Sequence, residues 1–329
     1  MENNVLVISE DDVKQLLTME DTIKTVEDVL REKALKRVQM PPKTYIYFQE
    51  YHGDFRSMPS YIPQLKIAGV KVVNYHPDNP RTYHKPAIMA TILLLDPKTG
   101  TPLAIVGGAT ITAMRTGAIA GIATKYLGRR DSEILGLIGA GTQARTQLLA
   151  ISKVLDCQEV RVYDKDYERI QSFIEEVSKR YPFQFVSCDT AEACVGSADV
   201  ISTVTPATTP IVKNDWIRLG THINAIGADA PGKEELDPHI LKRAKIVVDD
   251  LEQTTHGGEI NMPLKEGHIT VQDVYGELGE IVVGQKVGRS SPTEITIFDS
   301  TGLSLQDIAT ASIVFERAKK QNVGDWINL

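Results

Sequence analysis

The chain has 329 residues, of which 42% are hydrophobic and 24% are charged, as in ordinary soluble globular proteins. This length accommodates one large domain or two medium domains, each with a core of its own. The net charge of −7 and the pI of about 5.6 exclude a broad attraction to nucleic acid or to anionic membranes.

The three cysteines form no CxxC motif, so the sequence shows no disulfide framework. The N-terminal segment is acidic and lacks the basic and apolar regions of a signal peptide. The longest apolar run, Ala87 to Leu95, has the length of a strand and not of a membrane span. We therefore expect a reducing, cytoplasmic location, with neither a membrane nor a nucleic acid as partner.

The first third of the chain combines helices with strands. A short strand, VLVI, precedes two helices whose starts, Ser9 with Asp12 and Thr18 with Asp21, have capping-box spacing. The second helix is expected to run toward Arg37. Five strands separated by turn signals follow, and they are KTYIYF, FRSMPSYI, IAGVKVVNY, AIMATILLLD and PLAIVGG. This pattern predicts an α+β unit with antiparallel strands.

The rest of the chain has a different pattern. Residues 110–127 form a predicted helix rich in alanine and glycine, and from Glu133 strands alternate with helices. Such alternation indicates a parallel sheet with helices on both faces. The last helix, 304–320, is expected to return to the first domain. The predicted fold class is therefore α/β, with a doubly wound Rossmann sheet and an additional α+β domain.

The stretch ILGLIGAGTQA carries the sharpest motif. Gly139 allows a tight turn, Gly141 lets the backbone approach a pyrophosphate, and Ala144 lets the following helix pack closely on the strand. Asp164 ends the next strand about 20 residues further on, where a ribose-hydroxyl acceptor is required. Its carboxylate repels the 2′-phosphate of NADP and so favours NAD, although the adjacent cation Lys165 weakens that preference.

Polar residues follow three later strands, at the edge where ligands bind in open α/β sheets. The segments are Thr205-Pro206, Gly227-Ala228-Asp229 and Asp299-Ser300-Thr301-Gly302. A Thr-Pro pair is just as commonly a plain turn, but polar residues at all three strand ends fit a ligand crevice better than any one would alone.

Two further features have competing interpretations. Lys71 interrupts the apolar strand IAGVKVVNY, where a charge is costly unless it is paired or used, or unless the side chain snorkels to solvent. His256 and Glu259 have H-x-x-E spacing without an evident third ligand. We interpret the segment around them as a loop and predict no metal site.

Several of these segments resemble the ornithine cyclodeaminase/μ-crystallin family, and within it the archaeal-type alanine dehydrogenases. The segments are MPPK, FRSMP, GVKVVNYHPDNP, MRTGA, GAGTQA, HINAIGADAPGKEEL and FDSTGL, which span nearly the whole chain. The resemblance implies a substrate-binding and dimerisation domain formed by 1–119 together with 303–329. It also implies an NAD-binding Rossmann domain at 120–302, an active site between the domains, and a homodimer.

The resemblance implies roles for individual residues as well. Lys71 matches the catalytic lysine, and Asp229 matches an acid that faces the amino group of the substrate. Arg56, Lys43 and Arg115 are the expected substrate-binding cations. The implied or motif-based cofactor contacts are Arg115, Thr116, Gly139, Gly141, Thr142, Gln143, Asp164, Lys165, Thr205, Gly227, Ala228, Asp229, Lys233 and Ser300.

Arg56 separates the branches of this family. Cyclodeaminases carry an acid at this position, which receives the distal ammonium of ornithine, whereas an arginine repels that ammonium. Arginine instead suits the carboxylate of a small 2-oxo acid, which it can bind through two hydrogen bonds. The resemblance therefore implies an NAD-dependent alanine dehydrogenase, in which Lys71 moves protons and needs a lowered pKa to do so.

Other interpretations stay open at this point. The same imine chemistry serves an ornithine cyclodeaminase or a pyrroline-2-carboxylate (ketimine) reductase, and a relative of μ-crystallin can bind NAD(H) without turnover. Each residue also has a structural alternative. Arg56 and Arg115 would then be ion-pair or capping residues, Lys43 a structural residue, and Asp229 a turn residue.

Overall fold

The computed structural model describes residues 4–329. The chain divides into two compact units, one formed by the residues up to Arg115 together with Leu303–Leu329, the other by Thr116–Gly302. The first boundary lies at Arg115, whereas the sequence-based division ends the first domain at residue 119. The roles assigned to the two domains stay predictions.

The secondary structure elements follow one another along the chain. The first half contains β1 (Asn4–Ile8), α1 (Glu10–Leu16), α2 (Met19–Ala34), β2 (Thr44–Phe48), β3 (Gly53–Ile62), β4 (Ile67–Tyr75), α3 (Asn79–Thr82), β5 (Ile88–Leu95), β6 (Pro102–Gly107), α4 (Ala109–Leu127), β7 (Ile134–Ile138), α5 (Thr142–Ile151), β8 (Glu159–Tyr163) and α6 (Tyr167–Val177). The second half contains β9 (Gln184–Ser187), α7 (Ala191–Val195), β10 (Val200–Thr203), β11 (Thr208–Val212), β12 (His222–Ala225), β13 (Glu234–Leu236), α8 (Pro238–Leu241), β14 (Ala244–Val248), α9 (Leu251–Gly257), α10 (Asn261–Lys265), β15 (Val274–Glu277), α11 (Leu278–Val282), β16 (Ile295–Asp299), α12 (Ser304–Gln321) and β17 (Asp325–Asn328).

The first unit contains a seven-stranded sheet with the order β17-β1-β6-β5-β4-β3-β2. Adjacent strands of this sheet pair antiparallel, as expected, except that β1 and β6 are parallel. These two strands are far apart in the chain, so no hairpin dictates their direction. The short strand β17 is an element that the sequence pattern does not predict.

Helix α12 covers one face of this sheet. Along β3 every second residue is buried, which is the pattern of a strand with one covered and one open face. Apolar residues such as Ile92 and Leu94 of β5 share a buried core with Ile308 of α12. The last helix therefore packs on the first unit, as its sequence predicts.

The two N-terminal helices begin where their capping residues predict. Ser9 and Asp12 form a complete capping box, and the Thr18 side chain accepts a hydrogen bond from the backbone N–H of Asp21. The second helix ends at Ala34 instead of running toward Arg37. It stops because Lys36 adopts a left-handed backbone conformation with φ of +57°.

The second unit contains an eight-stranded sheet with the order β15-β14-β16-β12-β10-β7-β8-β9, and all of its pairs are parallel. The chain runs outward from β7 through β8 to β9 and then returns to β10 on the other side. This reversal is the switch point of a doubly wound sheet, so the predicted Rossmann architecture is confirmed. Strand β15 and the separate pair β11-β13 are additional elements.

Among residues 4–329, no helix combines the length and the apolar character that crossing a bilayer requires. The cytoplasmic location stays a prediction.

Candidate functional site

Lys71 lies in the middle of β4, on the face of the sheet that α12 covers. Its side chain is completely buried, and its Nζ donates a hydrogen bond of 2.6 Å to Oδ2 of Asp307. The alternative in which this lysine snorkels to solvent is therefore wrong.

Asp307 of α12 joins two cations of the first unit. Its second oxygen, Oδ1, accepts a hydrogen bond of 2.9 Å from Nε of Arg115, while Gln306 accepts a longer one from Nη1 of the same arginine. Sequence analysis missed Asp307. The signal in the sequence was a single acid in the segment SLQDIATA of the last helix. The structure buries every residue of this segment, from Ser304 to Ala311.

The pKa of Lys71 is lowered from 10.5 to about 7. Burial is the main cause, followed by the positive charge of Arg115, and the charge of Lys43 acts in the same direction. The carboxylate of Asp307 opposes the shift, through its charge and its hydrogen bond. A lysine balanced in this way can gain or lose a proton near neutral pH.

Arg56 lies in β3, on the same face of the sheet as Lys71. Met58 is paired with Lys71 and Arg56 with Val73, so Arg56 and Lys71 occupy diagonal positions on adjacent strands. The arginine is 8% exposed. Its Nε and Nη2 donate hydrogen bonds of 3.0 and 3.2 Å to the two oxygens of Asp54, a carboxylate that sequence analysis missed.

The other cation predicted to bind substrate, Lys43, is half-buried and directly precedes β2. Its influence on the pKa of Lys71 places its charge in the same region of the first unit. Tyr45 in β2 stacks its ring against the Arg56 guanidinium, whose Cζ lies 5.3 Å from the ring centre. The first unit therefore gathers Lys43, Arg56, Lys71 and Arg115.

The glycine-rich turn lies between β7 and α5 in the second unit. Gly139 has a φ of +104°, which side chains rarely tolerate. Gly141 is the N-cap of α5 and has no side chain to occupy the N–H groups of the first turn, where Thr142 and Gln143 lie. A Cβ added at Gly141 would meet no atom within 4 Å, so the space beside the turn is open, as the approach of a pyrophosphate requires.

Asp164 and Lys165 follow the neighbouring strand β8. One oxygen of Asp164, Oδ2, accepts a hydrogen bond of 2.9 Å from the backbone N–H of Ala140. The carboxylate thus lies directly against the glycine-rich turn, at the end of the strand where the dinucleotide-binding motif has its acid. Lys165 is exposed. These residues fit a dinucleotide whose ribose hydroxyls meet an acid.

The ends of the later strands carry the other predicted cofactor contacts. Thr205 follows β10 and Gly227 follows β12, and both donate hydrogen bonds to the buried carboxylate of Glu235. Ser300 follows β16 and donates to Asp249 at 2.7 Å. Sequence analysis did not identify Glu235 or Asp249.

Asp229 and Lys233 form an ion pair with an Oδ1–Nζ distance of 2.5 Å, and both side chains are partly exposed. Ala228 is buried beside them. Thr116 in α4 accepts a hydrogen bond from Gln147 through its backbone carbonyl. The role of Asp229 toward a substrate stays a prediction, and so does the alternative in which it is a structural residue of the loop.

The predicted loop around His256 and Glu259 is wrong in part. Helix α9 extends through His256 to Gly257, and Asp250 caps its start by accepting a hydrogen bond from the backbone N–H of Gln253. Glu259 is completely buried and accepts hydrogen bonds from the backbone N–H groups of Glu235 and Leu236.

Comparisons with known proteins agree with this arrangement. The model of the ornithine cyclodeaminase/mu-crystallin family matches residues 2–322. An alanine dehydrogenase of Archaeoglobus fulgidus is 47% identical over 323 residues, which cover 98% of each chain. A solved archaeal alanine dehydrogenase dimer with bound NAD has a TM-score of 0.95 at 46% identity, and 99% of each chain is covered.

A second solved structure is equally similar in fold. It is the Delta(1)-pyrroline-2-carboxylate reductase of Thermococcus litoralis in complex with NADH and L-proline. Its TM-score is 0.95 at 40% identity, and the match covers 98% of this chain and 99% of that one.

Replacing Gly141 by alanine should separate cofactor binding from folding. The backbone at Gly141, with φ of −82°, tolerates a side chain, and the added methyl group meets no protein atom. We expect an unchanged melting temperature but NADH binding weakened about tenfold or more, since the methyl group fills the space of the pyrophosphate. Fluorescence titration with NADH measures this, and unchanged affinity would show that the turn does not bind the dinucleotide.

The pKa of Lys71 predicts a pH-dependent stability. Between pH 7 and 10.5 the unfolded chain holds a proton on this lysine that the folded chain has lost, so the wild type gains stability as the pH rises through this window. Relative to Lys71→Met, which has no titrating group there, the gain should approach about 1.4 kcal/mol per pH unit. Urea unfolding of both proteins at several pH values measures it.

The matched control for this comparison is Lys179→Met, because Lys179 is largely exposed and pairs with Glu175 on the surface. It should change stability by a small, pH-independent amount. If the difference between wild type and Lys71→Met were equally independent of pH, Lys71 would have the same pKa in the folded and unfolded chain.

Proposed function

Because the chain belongs to the ornithine cyclodeaminase/mu-crystallin family, we propose that it is an NAD-dependent alanine dehydrogenase. It would convert pyruvate and ammonium reversibly to L-alanine. The broader class is shown by the relatives, which are NAD-dependent dehydrogenases and reductases of amino acids or imines. The chain is accordingly an enzyme and an oxidoreductase that uses NAD.

The observation that favours a substrate with one carboxylate over ornithine is the position of Arg56, and the choice of pyruvate within that class rests on the 47% identity to an alanine dehydrogenase. Arg56 is buried on the face of the sheet that also holds Lys71, and among residues 4–329 the first unit gathers Lys43, Arg56, Lys71 and Arg115 there with the carboxylates Asp54 and Asp307. The excess of positive charge suits a substrate with a carboxylate and disfavours one with a second ammonium group. A small 2-oxo acid has this charge.

Each residue of this cluster has a defined task in the proposed reaction. Arg56, assisted by Lys43 or Arg115, holds the substrate carboxylate through charge-assisted hydrogen bonds. Lys71 gives a proton to the carbonyl oxygen as ammonia adds, and then assists the loss of water that produces the imine. Asp229 attracts the ammonium group, and Asp307 is a positioning residue that orients the Lys71 ammonium and keeps its pKa from falling further.

The glycine-rich turn, Asp164 and the residues at the later strand ends would hold NAD. When bound, the nicotinamide supplies or accepts the hydride. The chain's own contribution is to hold the substrate and to exchange protons. A protein that only binds NAD(H) would have no use for a buried lysine whose pKa is near neutral, which favours an enzyme over a μ-crystallin-like binder.

A second candidate activity is the reduction of pyrroline-2-carboxylate. The Thermococcus litoralis structure supports it, because that protein is as similar in fold as the alanine dehydrogenase. A cyclic imine also carries one carboxylate, so Arg56 serves both substrates equally. An ornithine cyclodeaminase is disfavoured by Arg56, although the carboxylate of Asp54 beside it offsets part of the repulsion toward an ammonium group.

We also propose a homodimer. The open face of the sheet in the first unit exposes Ile46, Val72 and Met89, which register places on one side, opposite to Lys71. Apolar surface of this kind is typical of a protein interface. The similar archaeal alanine dehydrogenase is a dimer. Sedimentation velocity should give about twice the 36.3 kDa of one chain, and a monomer at micromolar concentration would contradict the proposal.

The direct test of the function is NADH oxidation by the purified protein. We expect oxidation with pyruvate that depends on ammonium, and NAD reduction with L-alanine. Activity with pyrroline-2-carboxylate but not with pyruvate and ammonium would assign the second candidate. Ammonia release from L-ornithine without NADH oxidation would show a cyclodeaminase and overturn the argument from Arg56.

Arg56→Gln provides the matched variant for this assay. The side chain keeps hydrogen-bonding capacity but loses its charge, so kcat/KM for pyruvate should fall roughly 10- to 100-fold. The affinity for NADH should stay unchanged, since the residue belongs to the first unit and the glycine-rich turn to the second. An unchanged kcat/KM would show that Arg56 does not hold the carboxylate.

A further inference from the structure

Glu235 is a completely buried acid in the short strand β13. Within residues 4–329 its carboxylate forms no ion pair, and its hydrogen bonds come from two loops. Oε1 accepts hydrogen bonds from the backbone N–H and the hydroxyl of Thr205, at 2.7 and 2.8 Å. Oε2 accepts a hydrogen bond of 2.9 Å from the backbone N–H of Gly227, and the same N–H also donates to the backbone carbonyl of Thr203.

The two loops that meet at Glu235 follow adjacent parallel strands. Thr205 is the second residue after β10 and Gly227 the second residue after β12, so both lie at the carboxyl edge of the sheet, where dinucleotides bind. There is no spare room between them. A Cβ on Gly227 would lie 2.3 Å from the carbonyl oxygen of Thr205 and 2.5 Å from Oε2 of Glu235.

The loop after β10 also touches the glycine-rich turn. A Cβ on Gly139 would approach Cγ2 of Thr205 to 3.2 Å, so the position of Thr205 limits the space beside the first glycine of the fingerprint. Glu235 is therefore connected through Thr205 to the turn that the pyrophosphate needs. A displacement of this carboxylate would move the loops after β10 and β12. It would also loosen the packing of Thr205 against the glycine-rich turn.

A second buried acid, Glu259, binds the backbone of the strand that carries Glu235. Its carboxyl group accepts hydrogen bonds from the backbone N–H of Glu235 at 2.9 Å and from that of Leu236 at 2.7 Å. Burial raises the pKa of Glu259 well above its usual range, and the neighbouring charge of Glu235 raises it further. Burial raises the pKa of Glu235 as well, although the donors that it meets from Thr203, Thr205 and Gly227 act in the opposite direction.

We propose that Glu235 is a positioning residue of the dinucleotide site, which holds the loops after β10 and β12 at the separation that NAD(H) binding requires. Glu259 fixes the strand segment that carries Glu235. This role rests on the cofactor of the proposed function but not on its substrate, because both loops belong to the second unit.

Glu235→Gln tests the role with a side chain of the same size. Both oxygens of Glu235 face backbone N–H groups, so an amide can satisfy one loop but turns its NH2 group toward the donor of the other. We expect the dissociation constant of NADH, measured by fluorescence titration without substrate, to rise about tenfold. Glu235→Asp keeps the charge but is shorter, and should lie between the wild type and the glutamine variant.

Glu234→Gln is the matched control. Glu234 precedes Glu235 in the same strand, is also buried, and projects to the opposite side. This variant should bind NADH like the wild type. Melting temperatures without NADH monitor folding, and at saturating NADH the kcat of Glu235→Gln should stay within about twofold of the wild type while KM for NADH rises, with whichever substrate is turned over.

Equal NADH affinity of folded Glu235→Gln and the wild type would overturn the proposal. If Glu235→Gln does not fold, Thr205→Val replaces it, since this change removes one hydrogen bond to the same carboxylate and should weaken NADH binding about threefold. Wild-type affinity in that variant would likewise overturn the role of Glu235. A wild type that does not bind NADH at all would instead remove the cofactor from the proposed function, and this proposal with it.

Discussion

The ion group formed by Lys71, Asp307 and Arg115 is the constraint on which the first unit depends. Taking charges out of water costs several kcal/mol for each ion, so buried charges must be paired. Here one carboxylate faces two cations, and it cannot neutralise both. Arginine does not lose its proton in proteins, whereas lysine can, so burial and, after it, the charge of Arg115 lower the pKa of Lys71. The burial of Lys71 in the fold thus gives this lysine a pKa near neutral, which is the property that proton transfer near neutral pH needs.

The second unit uses a different solution, in which backbone N–H groups replace cations. Parallel strands end at one edge of the sheet, and their loops must be held there without hairpins. Asp164 accepts from the glycine-rich turn, Asp249 from Ser300 and the backbone of Gly302, and Glu235 from the loops after β10 and β12. These carboxylates, of which Asp249 and Glu235 are buried, hold loops together by accepting hydrogen bonds, so the edge has a defined shape before any ligand arrives.

Charge also relates the chain to its relatives. The archaeal alanine dehydrogenase and the pyrroline-2-carboxylate reductase share this fold at a TM-score of 0.95, and their named substrates share a carboxylate next to a carbon–nitrogen bond. A buried arginine on the face that holds Lys71 suits that common feature. Asp54 holds the guanidinium in place through two hydrogen bonds, which limits the rotamers that Arg56 can adopt.

Much of the fold follows from local sequence. Alternating strands and helices predict the parallel sheet, the capping residues predict the starts of α1 and α2, and the glycine fingerprint with Asp164 predicts the dinucleotide site. The anomaly of a lysine in an apolar strand was also visible. Its partner was not, because Asp307 lies 236 residues further along the chain. Strand register places Arg56 diagonally from Lys71, and the packing of α12 brings Asp307 to Lys71. Tertiary structure alone decided these pairs, since no sequence spacing encodes contacts between distant segments.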